Sequence, residues 1–96
     1  MEEEKLVKCL AQLGNITRLR IFRLLIKAGE EGLSVGEIQE KLDVPGSTLS
    51  HHISKLANLD LVKQKREGRT LHCTANYILL DLVLSELKDQ CCVGYK

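Results

Sequence analysis

Ninety-six residues, 44% of them apolar, make one domain spanning 1–96, large enough for a core yet small enough that a partner subunit would add to its stability. The formal charge is only +1, no window approaches the unbroken apolar run of a membrane span, and Met1 is followed by three acids rather than a basic signal region. A membrane protein and a secreted one are thereby disfavoured, a cytoplasmic one is expected, and the four cysteines read as thiols for metal, metalloid or redox chemistry rather than as disulfides.

The first predicted helix, Glu4 to Leu13, carries Leu6, Val7, Leu10 and Leu13 and ends at Gly14. Asn15 caps the second, in which Leu19, Phe22, Leu25 and Ile26 share a side while Arg18, Arg20, Arg23 and Lys27 take much of the remainder; the stretch from Gly29 to Gly32 closes it. The third opens on Ser34-Val35-Gly36-Glu37, a capping box, with Leu33 and Ile38 spaced as a hydrophobic staple. Val35, Ile38 and Leu42 form its apolar stripe. Asp43 to Gly46 stops it, because the Pro45 ring denies the ladder an amide and pushes Val44 out of the helical region.

Two helices joined by so short a turn cross steeply. The next carries Leu49, Ile53, Leu56 and Leu59 at helical spacing, which leaves Ser47, Thr48, Ser50, His51, Ser54 and Lys55 on or beside the outer face. Short donors and one cation suit a helix seated deep in the major groove of double-stranded DNA, meeting phosphates and base edges. After Asp60 the period falls to two: Leu71, Cys73 and Ala75 alternate with Thr70, His72 and Thr74, and Lys63, Lys65, Arg66 and Arg69 gather around Gly68, a residue suited to a tight hairpin. Such a cationic hairpin is a wing, able to lie along phosphates or in the adjacent minor groove. Residues 46–75 hold five Lys/Arg against two Asp/Glu, whereas residues 1–45 hold seven against eight, so the positive excess falls on this face.

The last predicted helix, about Asn76 to Cys91, is apolar at 77–80, 82–84 and 87, too wide for one core-facing stripe. Its second side suits another copy, giving a twofold dimer through the first and last helices, with an imperfect palindrome as operator. The expected fold is mainly α with a small β-hairpin: a homodimeric winged helix-turn-helix.

Asn15 to Phe22, Leu33 to Ile38, Ser47 to Ile53 and Arg66 to Arg69, in that order, resemble the ArsR/SmtB repressors over most of the chain. The resemblance implies a homodimeric repressor released from its operator by a metal ion, metalloid or thiol-reactive signal. By position it makes Ser47, Thr48, Ser50, His51 and Lys55 the recognition-helix contacts, with Arg66 and Arg69 in the wing. Gly46 stands where many members carry Gln, so one base contact available to them is missing.

The effector site departs from two of the family's versions. Where many arsenic-responsive members place a Cys-Val-Cys motif, this chain has Ser34-Val35-Gly36, and residues 77–90 lack the His ligands of the zinc type. What remains is Cys91-Cys92, which resembles the vicinal pair of members that sense arsenite or antimonite at the end of the dimerisation helix. Soft thiolates select thiophilic ions, and adjacent residues need little chain closure to converge on one centre. Those relatives often have a third Cys a few residues downstream, and this chain reaches Lys96 without one, so Cys9 is the substitute to test. Its alternative role is an apolar interface residue. Cys73 is expected in the core. Of the adjacent histidines, which point about 100° apart on a helix, His51 reads as a DNA contact and His52 as packed against the frame; His72 is expected to face solvent or phosphate.

No permanently bound cofactor is implied, only As(III) or Sb(III) as effector. One alternative keeps the repressor and changes the signal to another thiophilic metal, or to oxidation or persulfidation of Cys91 and Cys92. Another is a winged-helix module that binds protein. An enzyme is not expected, since no nucleophile–base pairing, paired acids or glycine-rich phosphate loop is present.

Overall fold

The computed structural model describes residues Met1–Tyr95. Helix α1, Glu3–Leu13, begins with Glu3 and Glu4 at the positive end of its dipole and buries Cys9, with Leu6 and Leu13 packed beside it. Helix α2, Ile16–Ala28, is capped by Asn15, whose Oδ1 accepts from the amides of Thr17 at 3.0 Å and Arg18 at 3.1 Å. It drives Ile21, Phe22 and Leu25 into the centre of the core. A 3-10 turn at Gly29–Glu31 then leads into strand β1, Leu33–Ser34.

Both arms of the capping box form at α3, Val35–Leu42: the Glu37 amide donates to Ser34 Oγ and the Ser34 amide to Glu37 Oε1, each at 3.1 Å. Those bonds hold the Glu37 carboxyl below its ordinary pKa, the backbone bond from Ser34 foremost. Helix α4, Gly46–Asn58, follows, then strands β2, Val62–Glu67, and β3, Thr70–Ala75, and finally α5, Tyr77–Lys88. The core gathers Cys9 from α1, the buried face of α2, Ile38, Leu49, Ile53, Leu56, Leu61, Val62, Cys73, Ala75 and Val83. No helix among the described residues is long and apolar enough to cross a membrane.

The sheet has three antiparallel strands in the order β1-β3-β2, one more than a hairpin, because Leu33 and Ser34 pair with Cys73 and His72. The approach is close enough that a Cβ on Gly32 would collide with the Cys73 carbonyl oxygen, and Gly32 itself sits at φ 64°. A two-residue strand leaves no period in a sequence, so only the hairpin was readable.

Helix α5 stops three residues short of the expected Cys91. Val83 is its one buried side chain, and Leu87 is already 54% exposed, so nothing apolar anchors a further turn. Asp89 leaves the helix at φ −52°, ψ 133°. The expected two-sided apolar character is present: Tyr77, Leu79 and Leu80 pack on the core, while Ile78, Leu82, Leu84 and Leu87 lie open.

Candidate nucleic-acid interface and thiol pair

Between α3 and α4 the chain turns on Asp43, left-handed at φ 52°, whose amide donates to the Gln39 carbonyl at 2.8 Å, and on Pro45. Because Pro45 offers no side-chain cap, the first turn of α4 presents amides at the positive end of the helix without a side-chain acceptor. That arrangement favours a phosphate oxygen. Leu49, Ile53 and Leu56 bury one face of α4, and the opposite face carries Ser47, Thr48, Ser50 and His51, all exposed. Lys55 is half-buried, so its stem lies along the protein.

One bond fixes this helix to the frame. Arg18 donates from Nε to the Gln12 carbonyl at 2.6 Å and from Nη1 to His52 Nδ1 at 3.2 Å, tying the end of α1 and the start of α2 to the middle of α4. The guanidinium has no acceptor, so Nδ1 must be unprotonated here. Burial pushes the His52 pKa down, and the positive charges of Arg18, His51 and Lys55 push the same way. The expected packing of His52 against the frame is what the structure has; its partner, Arg18, carries no signal at a separation of 34 residues.

In the wing only Val62 of β2 is buried, and Lys63 through Arg69 are exposed, with Arg66 and Arg69 close to the tip. Gly68 takes φ 63° between Glu67 and Arg69, a conformation side chains rarely adopt. His72 departs from expectation: it is half-buried and its Nε2 meets the carbonyl of Glu31, because the 3-10 turn and β1 occupy the space that a bare hairpin would leave to solvent. Asn76 does two jobs, accepting from the Leu79 amide at 3.2 Å and donating to the Asp60 carbonyl at 2.8 Å, which joins the start of α5 to the α4–β2 corner.

All four thiols are free. Cys73 is wholly buried, as expected of a core residue, and burial raises its pKa. Cys9 is wholly buried too, its thiol pushed up chiefly by desolvation, with Lys5 opposing. Cys91 and Cys92 are exposed beyond the end of α5, with Sγ atoms 2.7 Å apart and Cys92 at φ 66°. The contact with Cys92 raises the Cys91 pKa. Among the described residues no three His, Cys, Asp or Glu side chains are grouped to hold a metal ion, so one protomer does not bring Cys9 to the vicinal pair.

Comparison with known proteins agrees with this geometry. Residues 13–65 match the family described as a helix-turn-helix domain. A protein of Halobacterium salinarum named as an arsenical resistance operon repressor, ArsR, is 43% identical over 63 residues, which cover 66% of this chain and 48% of that protein. An HTH-type transcriptional regulator of Methanocaldococcus jannaschii is 35% identical over 65 residues, 68% of this chain and 71% of that one. The solved structure of HlyU from Vibrio cholerae superposes with a TM-score of 0.75 at 30% identity, covering 96% of this chain and 99% of that one. The chain thus spans about half the length of the Halobacterium relative.

Proposed function

The chain belongs to the ArsR/SmtB family of winged helix-turn-helix DNA-binding transcriptional regulators, which are not enzymes, and from that premise we propose a homodimeric repressor released from its operator by arsenite or antimonite. It acts in the cytoplasm on palindromic double-stranded DNA, read by Ser47, Thr48, Ser50, His51 and Lys55 from α4 and by Arg66 and Arg69 from the wing. What supports Ser47, Thr48, Ser50, His51, Arg66 and Arg69 as DNA-reading residues is their exposure on one helix face and one hairpin, while Lys55 is half-buried beside that face.

The effector reading is carried by one observation: Cys91 and Cys92 are the exposed thiols among the described residues, and their sulfurs face each other. Arsenous acid condenses with two thiols, each As–S bond replacing an As–O bond and each step releasing one water. The thiols need not ionise beforehand, so the raised Cys91 pKa does not oppose it. The third arsenic position keeps a hydroxyl or takes another thiol. Cys9 would have to leave the core to supply it, at a cost of about 2 kcal/mol or more for the burial forfeited.

An ion releases DNA only through a preference for the free conformation, and couplings of about 1–3 kcal/mol are typical. The thiol pair follows α5 directly, so ordering the segment around an ion acts on the helix whose open apolar side suits the dimer contact. Cys91→Ser and Cys92→Ser proteins should bind operator normally and resist release by arsenite, while Cys73→Ser behaves as wild type and Cys9→Ser tests the third ligand. Release of the Cys91→Ser, Cys92→Ser double variant at the wild-type arsenite concentration would overturn the site.

The same sulfur contact favours a second reading, oxidation of the pair to a disulfide, in which two thiols give up two electrons and two protons to a peroxide. Mass spectrometry separates the two readings, since arsenite leaves a bound ion on reduced protein and oxidation removes two hydrogens.

A further inference from the structure

Along α2, walled by the ends of α1 and α3 and by α5, runs an open groove of about 710 Å³, within the roughly 300–1,000 Å³ typical of small-molecule sites. Leu19, Phe22 and Ile26 stand at i, i+3 and i+7 of α2 and form its apolar floor, bounded by Leu13, Leu42 and Leu80 of the other three helices. Arg20, Arg23 and Lys27 repeat that spacing one residue on, about 100° around the helix, so an apolar column and a cationic column run side by side for about 10 Å.

All three cations are exposed, none is ion-paired among the described residues, and no acidic side chain lines the groove. Like charges at i, i+3 and i+4 repel on a helix surface, and an anion seated among them removes that repulsion. The floor gains in turn when hydrocarbon displaces its water. An occupant that satisfies both columns is a small amphiphile, apolar along its body and anionic at its head. The length of the columns matches an alkyl chain of medium length, and arginine presents a planar fork that takes a carboxylate bidentately.

We propose that the groove is a binding site for the anion of a medium-chain fatty acid, its carboxylate held by Arg20 and Arg23 and its chain laid along Phe22 and Ile26, with the aliphatic stem of Lys27 over it. The chain would touch Leu42, the last residue of α3 before the turn into α4, and Leu80 of α5, so the site lies between the DNA-reading unit and the last helix. It is separate from the thiol pair and from the open side of α5, since neither Cys91 and Cys92 nor Ile78, Leu82 and Leu84 line it. The inference therefore stands or falls independently of the arsenite reading.

The test is isothermal titration calorimetry of the full chain at low salt with octanoate, octanol and octyltrimethylammonium. Octanoate should give a saturable isotherm, and the alcohol and the cation of equal chain length should bind at least about tenfold more weakly, the loss that goes with a charge-assisted pair. Added salt should weaken octanoate more than octanol. Arg20→Gln with Arg23→Gln should weaken octanoate by about tenfold or more and leave octanol as it was, with helix content checked by circular dichroism. The three ligands on wild-type protein keep the test decisive even if that variant folds poorly. No saturable binding of octanoate in the millimolar range, equal binding of octanoate and octanol, or full octanoate affinity in a folded arginine double variant would each overturn the site.

Discussion

The Arg18–His52 bond puts a titratable group inside the joint between frame and recognition helix. His52 is neutral in the fold, and its pKa is pushed below the ordinary value of 6.5 by burial and by Arg18, His51 and Lys55. A group whose folded pKa is depressed is protonated first in the unfolded chain, so its contribution to stability is full above pH 6.5 and is lost as pH falls from there. His52→Gln keeps an acceptor for Arg18 without the titration. Urea unfolding of both proteins across that range should therefore show a wild-type midpoint that falls more steeply with acid than the variant's; parallel curves would remove His52 from the joint. Residue chemistry of this kind was half legible: the helical angle between His51 and His52 separated an outward from an inward ring, but Arg18 comes from another helix and could only be found in three dimensions.

Elements were more legible than single contacts, for reasons that differ along the chain. The caps at Asn15 and Ser34 are local, written within four residues of the bonds they make, and they form as read. The wing was legible from its period and from Gly68, whereas β1 was not, because its two residues pair with Cys73 and His72 some forty positions away. The end of α5 was misjudged for a third reason: helix-compatible residues continue to Cys92, but the core does not. A wing whose cations all face solvent makes a prediction at its own scale. If Arg66 and Arg69 each neutralise one phosphate, replacing either by Ala should reduce the salt slope of operator binding by about one per subunit and weaken all DNA sequences alike. Substitutions at Ser47, Thr48 or His51 should change which operators are preferred, at about 1–3 kcal/mol for a lost base contact. Equal slopes in wild type and both arginine variants would take the wing off the phosphate backbone.

For the whole molecule the question is what covers the open side of α5. Ile78 is 80% exposed, Leu82 41%, Leu84 49% and Leu87 54%, and Val7 and Leu10 of α1 add to the uncovered apolar surface. Side chains of this size gain about 1.5–3 kcal/mol each on full burial, so a self-complementary contact of several such residues is strongly favoured over leaving them in water. In the proposed dimer, twofold symmetry would set the distance between two copies of α4, so that two half-sites about one DNA turn apart would be read together. Placing charges there should undo both consequences at once. Leu82→Glu with Leu84→Glu lies outside the buried core, so the protomer should keep its helix content while its carboxylates oppose desolvation in the contact. The variant should sediment as a monomer at concentrations where wild type is dimeric. Its affinity for the full palindrome should fall by about 10²–10⁴, the gain that linked binding confers, with affinity for an isolated half-site unchanged. A variant that remains dimeric, or one that loses half-site binding equally, would mean that this face of α5 does not bring the two recognition helices together.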